Sequence, residues 1–163
     1  MIEIVPITAE YTEGFHACLD SVARERRYLG FVEAPSLESV RAFVEANIAA
    51  DVPQFVALAG GEVVGWCDIS PKTREGFRHC GHLGIGVHDD FRGQGVGTRL
   101  LAATVEKARA QGLERIELEV FASNTDAIRL YERQGFALEG RQQKARKIDG
   151  QYDDILCMAR LFV

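Results

Sequence analysis

The sequence predicts an α/β protein of the α+β kind, with one mixed, mostly antiparallel seven-stranded sheet and helices on both faces. Three observations lead there. Short alternating apolar runs are interleaved with segments of helical apolar spacing, in the order β-α-α-β-β-β-α-β-α-β-β. Two dipeptides, Gly60-Gly61 and Asp149-Gly150, are primed-turn hairpin signals that join neighbouring runs. The chain has 163 residues, 47% hydrophobic and 26% charged, without repeat, linker or low-complexity tract, so it reads as a single domain over residues 1–163.

Residues 1–8 alternate and form the first strand. Tyr11, Phe15, Cys18, Leu19 and Val22 then recur at helical spacing. Ser36 is a suitable N-cap for a second helix with the stripe Leu37, Val40, Val44 and Ile48. Residues 55–59 and 63–69 are the strands of the Gly60-Gly61 hairpin, and the polar stretch 70–79 reads as a surface loop. Residues 82–88 form a further strand. A glycine-rich turn over 92–97 leads into a helix carrying Val96, Leu100, Leu101, Val105 and Ala108, stopped by Gly112. Residues 116–121 are again a strand, with Ile116, Leu118 and Val120 on one face and Glu117, Glu119 and Phe121 on the other. Asn124 caps a short helix through Ala127, Leu130 and Tyr131, closed by Gly135, and the Asp149-Gly150 hairpin ends the chain.

A net charge of −5 and a pI near 5.4 argue against nucleic acid or an anionic membrane surface as the partner. No apolar run reaches the length of a membrane span, and Met1-Ile-Glu-Ile-Val5 has neither the positive start nor the apolar stretch of an export signal. Cys18, Cys67, Cys80 and Cys157 sit apart inside periodic segments, as in a protein of the reducing cytoplasm. His79-Cys80-Gly81-His82 is the only cluster of potential metal ligands; a zinc site needs a second one, so no metal is expected.

The chemistry lies in His82-Leu-Gly-Ile-Gly-Val-His88-Asp-Asp-Phe-Arg92-Gly-Gln-Gly-Val-Gly97-Thr98, a strand that runs into a glycine-rich turn opening a helix. Backbone N–H groups of such a turn converge at the positive end of the helix dipole, an arrangement suited to a pyrophosphate, and Arg92 and Thr98 would add donors. A Walker loop is excluded because no lysine stands between Gly97 and Thr98. The dinucleotide fingerprint is excluded because Gly93, Gly95 and Gly97 alternate.

The spacing that fits is Arg-x-x-Gly-x-Gly, formed by Arg92, Gly95 and Gly97. It resembles the acetyl-CoA-binding motif of the GNAT N-acetyltransferases. The downstream segment Asn124-x-x-Ala127, Tyr131 and Gly135-Phe136 is similar to a second motif of that family, and the element order agrees from end to end. The resemblance implies an acyltransferase, more narrowly an acetyl-CoA-dependent N-acetyltransferase of the phosphinothricin and amino-acid type, acting on a small amine. It implies that Val87, His88, Arg92, Gly93, Gln94, Gly95, Val96, Gly97, Thr98, Asn124 and Tyr131 contact acetyl-CoA. It also implies a strand splayed by a bulge, with the pantetheine arm bonding the strand backbone around Val87, and a homodimer formed through the C-terminal strands.

Independently, Gly84 and Gly86 lie within a strand, where glycine usually marks a bulge or a close approach by a ligand or another backbone. The alternative is a strand edge merely softened by glycine.

Direct attack of an amine on the thioester requires two proton transfers. At pH 7, neutralising a lysine-like amine costs about 4–5 kcal/mol and a peptide α-amine about 1, so a general base matters more for the first. Tyr131 occupies the family position of the tyrosine that donates to the departing thiolate; helical spacing alone would also place it in the core. Asn124 can serve as both N-cap and ligand to the arm. His82 is the candidate base, with Glu119 and Glu117 as competitors acting through a water. The acceptor site implied by the family falls at Arg26, Arg27 and Tyr28, with Arg141, Lys144, Arg146 and Lys147 nearby. Paired arginines suit a carboxylate, hence an amino acid; equally, they suit a solvated helix end. Acetylation of a protein N-terminus or lysine, and a non-catalytic acyl-CoA sensor, are the competing readings.

Overall fold

The computed structural model describes residues 1–163. Seven strands form one sheet: β1 (Ile2–Pro6), β2 (Gln54–Ala59), β3 (Glu62–Pro71), β4 (Cys80–Val87), β5 (Arg115–Phe121), β6 (Ala137–Ile148) and β7 (Gln151–Leu161). Their spatial order is β1-β2-β3-β4-β5-β7-β6, antiparallel throughout except for the central pair β4 and β5. Four helices cover it: α1 (Thr12–Arg24), α2 (Leu37–Ala49), α3 (Val96–Ala110) and α4 (Thr125–Arg133).

The hairpins form where the dipeptides place them. Gly60 and Gly61 have φ of 57° and 84°, and Asp149 and Gly150 have φ of 51° and 76°, the two positive values that a type I′ turn requires. Ser36 caps α2 by accepting from the Ser39 N–H at 3.1 Å, and Asn124 caps α4 by accepting from the Ala127 N–H at 3.3 Å.

Strand alternation divides the core in two. Cys67 and Ile69 of β3 and Leu83 of β4 point to one face, where they pack with Leu100, Leu101 and Val105 of α3 and with Tyr131 of α4. Val56 and Trp66 point to the other, beneath Phe15, Leu19 and Val22 of α1 and Val40 and Val44 of α2. There Trp66 meets Phe15 edge to face, with ring centroids 5.8 Å apart.

Three expectations need correction. Strand β3 runs on to Pro71 and a short 3-10 turn occupies Glu75–Phe77, so the loop between β3 and β4 is shorter than 70–79. Ile48, assigned to the stripe of α2, is exposed; only Val40 and Val44 of that helix are buried. The bulge expected beside Gly84 and Gly86 is absent from the β3–β4 ladder, which keeps one register from Gly65 opposite Val87 to Pro71 opposite Gly81. Gly86 has a different cause: a Cβ there would stand 2.2 Å from Cη2 of the Trp66 indole, which lies across the strand.

Candidate active site

The site begins where β4 and β5 part. Their parallel pairing covers only Cys80 with Arg115, Gly81 with Ile116 and His82 with Glu117. Beyond His82 the strands diverge, and the β5-facing backbone of residues 83–87 has no strand partner on that side. A cleft of about 890 Å³ passes through this opening from one face of the sheet to the other.

On the α3–α4 side the cleft is walled by the turn before α3. Gly93 and Gly95 adopt φ of 75° and 78°, and a Cβ on either would stand in open space, so it is the backbone conformation that demands glycine here. The first backbone bond of α3 runs from the Arg99 N–H to the Gly95 carbonyl at 3.2 Å, so Val96, Gly97 and Thr98 precede the helical ladder and leave their N–H groups to an anion. Arg129 and Arg133 of α4 border the same mouth, a pair that the sequence discloses only through its i,i+4 spacing. This wall fits a pyrophosphate group: open backbone donors, a helix N-terminus and two cations converge on it.

Within the cleft, Tyr131 is buried, and burial pushes its phenol well above the ordinary tyrosine range. It packs against Phe136 with centroids 6.0 Å apart, while its hydroxyl has no hydrogen-bond partner in the chain and is not sealed from the cleft. A phenol so placed stays protonated and can donate. Asn124 caps α4 and also lines the cleft.

On the α1–α2 side, His82, Gly84 and Gly86 form the floor with Glu119 and Phe121 of β5, and Val22, Tyr28, Leu29 and Gly30 form the roof. Glu117 is committed elsewhere. Burial works to raise its pKa, but Lys72 and Arg115 bond its carboxylate and hold it below the usual range. Among the three candidates for the base, His82 and Glu119 alone face the cleft.

Several other expected contacts lie outside it. His88 turns away, its Nδ1 accepting from the Asp90 N–H at 3.2 Å and its ring meeting Phe91. The Gln94 amide reaches back to the Asp90 carbonyl at 3.4 Å. Arg26 and Arg27 do not form a carboxylate clamp. Arg26 pairs with Asp149 at the tip of the last hairpin, at 2.9 and 3.0 Å, and Arg27 lies over the Tyr28 ring. Of that group only Tyr28 lines the cleft. Arg141 bonds Asp154, and Lys144 and Lys147 stack on Tyr152, so the C-terminal cations serve their own hairpin. Arg146 differs: it donates to the carbonyls of Arg26 and Arg27 at 3.0 and 3.2 Å and covers Phe121, tying the roof to β5.

Arg92 also departs from its expected role. Its Nε donates to the Val87 carbonyl at 2.9 Å, and its two terminal nitrogens donate to Glu25 at 2.8 and 2.5 Å. The guanidinium thus braces the turn against the end of α1, with Tyr28 stacked on it at 4.6 Å, and is not left free as a phosphate donor. Glu25 stands 67 residues away in sequence, and no local pattern marks it.

Residues 14–136 match the Acetyltransferase (GNAT) family. The chain belongs to that family. This acetyltransferase is 34% identical over 124 residues to an L-methionine sulfoximine/L-methionine sulfone acetyltransferase of Pseudomonas paraeruginosa, covering 75% of this chain and 72% of the relative. It is 34% identical over 111 residues to an L-amino acid N-acetyltransferase of Escherichia coli, covering 68% of each. The crystal structure of a GNAT-family acetyltransferase from Streptococcus pneumoniae superposes with a TM-score of 0.93 at 26% identity, covering 99% of this chain and 100% of the other. Acetyl-CoA is the acetyl donor. No helix of the enzyme is long and apolar enough to cross a membrane.

Proposed function

We propose that this acetyltransferase transfers acetyl from acetyl-CoA to the primary amine of an amino acid or amino-acid-like compound. The carrying observation is the loss of β4–β5 pairing after His82, which joins the phosphate-binding turn on one face to a roofed chamber on the other. The amino-acid relatives named above support the small-amine choice, and the roof of Tyr28, Leu29 and Gly30, fastened by Arg146, encloses a volume suited to a small molecule.

Acetyl-CoA supplies an activated acyl group. The N–H groups at the start of α3, with Arg129 and Arg133, hold its phosphates. Unpaired backbone of residues 83–87 receives the extended arm, as an additional strand would be received. Asn124 lies beside that path. As the nitrogen–carbon bond forms and the carbon–sulfur bond breaks, Tyr131 hands its proton to sulfur, and the amine proton passes to His82 or, through a water, to Glu119. Tyr131 then regains a proton from solvent. A cytoplasmic setting and pairing of two copies through the long exposed strand β6 belong to the same reading; the four cysteines are all free.

An acceptor screen tests the proposal. Amino acids, polyamines, aminoglycosides and short peptides are incubated with acetyl-CoA, and mass spectrometry reports the gain of one acetyl group. Acetylation confined to amino acids and their analogues is the expected result. Acetylation of peptides alone, or binding of acetyl-CoA without turnover, overturns it.

A further inference from the structure

Asp68 of β3 is an acidic side chain beside the acceptor floor that, like Glu119 within the floor, has no partner in the chain. It stands opposite Gln54 on β2 and Gly84 on β4, on the same face as Trp66 and therefore on the α1–α2 side. A Cβ on Gly84 would lie 3.5 Å from its Oδ1, so the bare glycine leaves the carboxylate adjoining the cleft floor. No ion pair or hydrogen bond within the chain reaches its oxygens, yet they are not sealed from solvent. An acid held in such surroundings without a cation is costly unless it serves a visitor.

We propose that Asp68 is the anionic subsite that receives the ammonium group of the acceptor, an inference that rests on the amine-acetyltransferase reading above. The opposite strand supports it. Gln54 is buried, its Oε1 accepts from Asn47 at 2.9 Å, and its Nε2 has no partner, so no positive charge comes from that side. Groups around Asp68 are neutral or distant in charge. Ser70 and Trp66, which share its face of β3, carry no charge. His82, two residues from Gly84 on the same strand face, is the floor residue beside it. Part of Asp68 remains accessible, but the protein crowding it pushes its carboxyl up to about 7, and an arriving cation favours the charged form. Docking an ammonium there places its nitrogen beside His82 and the opening of the strands, with Gly84 as the gap between donor and acceptor chambers.

The test uses Asp68→Asn and Gly84→Ala, the second adding a methyl at ordinary contact distance that shields the carboxylate while retaining it. The probes are L-methionine sulfone and n-propylamine. Both variants should raise the KM of each probe by at least about tenfold, and in Asp68→Asn kcat and the acetyl-CoA Kd should change by less than about threefold. Calorimetry of probe binding to the CoA-loaded enzyme near pH 7, in two buffers of different ionisation enthalpy, should show proton release that Asp68→Asn loses. An Asp68→Asn enzyme with native acceptor KM and native proton release overturns the proposal, as does failure of both probes to bind the wild-type enzyme. If the wild type acetylates amino acids and the variants match it, the small-amine function stands and the Asp68 subsite falls. If only peptides are acetylated, the small-amine function falls, and unchanged peptide KM in Asp68→Asn removes the subsite as well.

Discussion

Arg92 and Glu25 form a two-pronged ion pair, with nitrogen–oxygen distances of 2.8 and 2.5 Å, that joins the acyl-donor turn to the end of helix α1. The hydrogen bonds it donates to Glu25 hold the guanidinium firmly charged, and the third nitrogen donates to the Val87 carbonyl. One side chain therefore sets the turn, the last residue of β4 and, through Tyr28, the roof of the acceptor chamber.

Replacing Arg92 by Lys keeps the charge but removes the fork and the stacking plane. The change should cost about 2 kcal/mol of stability, a fall in Tm of roughly 4–8 °C. It should also weaken acetyl-CoA and acceptor together, which calorimetry and steady-state kinetics would show. A variant impaired for acetyl-CoA alone would mean that Arg92 contacts phosphate directly.

Tyr131→Phe should lower kcat roughly 10²- to 10³-fold with little change in either KM, because only the proton donor is lost. Burial raises the phenol pKa, so the folded protein keeps the proton when the unfolded chain releases it. The stability this gives is complete below pH ~10 and lost as pH rises beyond that. Urea unfolding between pH 8 and 11 should show a steeper decline for wild type than for Tyr131→Phe.

His82→Ala should depress kcat/KM at neutral pH and remove the acidic limb of the pH–rate profile, whereas Glu119→Gln should shift it only slightly. The reverse pattern would assign proton removal to Glu119 and its water.

Asp68→Asn should stabilise the enzyme while impairing it. Burial raises this carboxyl to about 7, so the stability tied to it is complete below the ordinary carboxylate pKa near 4 and lost as pH climbs through 7. At pH 8 the variant should gain on the order of 2 kcal/mol, and at pH 4 nothing. Denaturant melts at the two pH values decide this, and an equal effect at both would contradict it.

Gly86→Ala forces a methyl into the Trp66 indole and should cost about 1–3 kcal/mol. Trp66 is the only tryptophan, so its fluorescence reports the displacement directly.

Local rules made much of this molecule legible from sequence. Turn chemistry placed both hairpins, because Gly60-Gly61 and Asp149-Gly150 readily take the positive φ that such turns need. Periodicity placed the helices, and side-chain oxygens of Ser36 and Asn124 fixed where two of them start. The glycine turn was readable for the same reason: its function resides in backbone conformation, which Gly93 and Gly95 encode locally. What tertiary structure alone decided are partnerships over long separations. Arg92 was spent on Glu25 and Arg26 on Asp149, across 67 and 123 residues, and neither choice leaves a trace in local spacing. Gly86 answers to Trp66 and Gly84 adjoins Asp68 only because β3 and β4 pair in that register. Spacing along the chain sets which conformations and faces are available; which charges meet, and which stay unpaired, depends on how the sheet brings distant strands together.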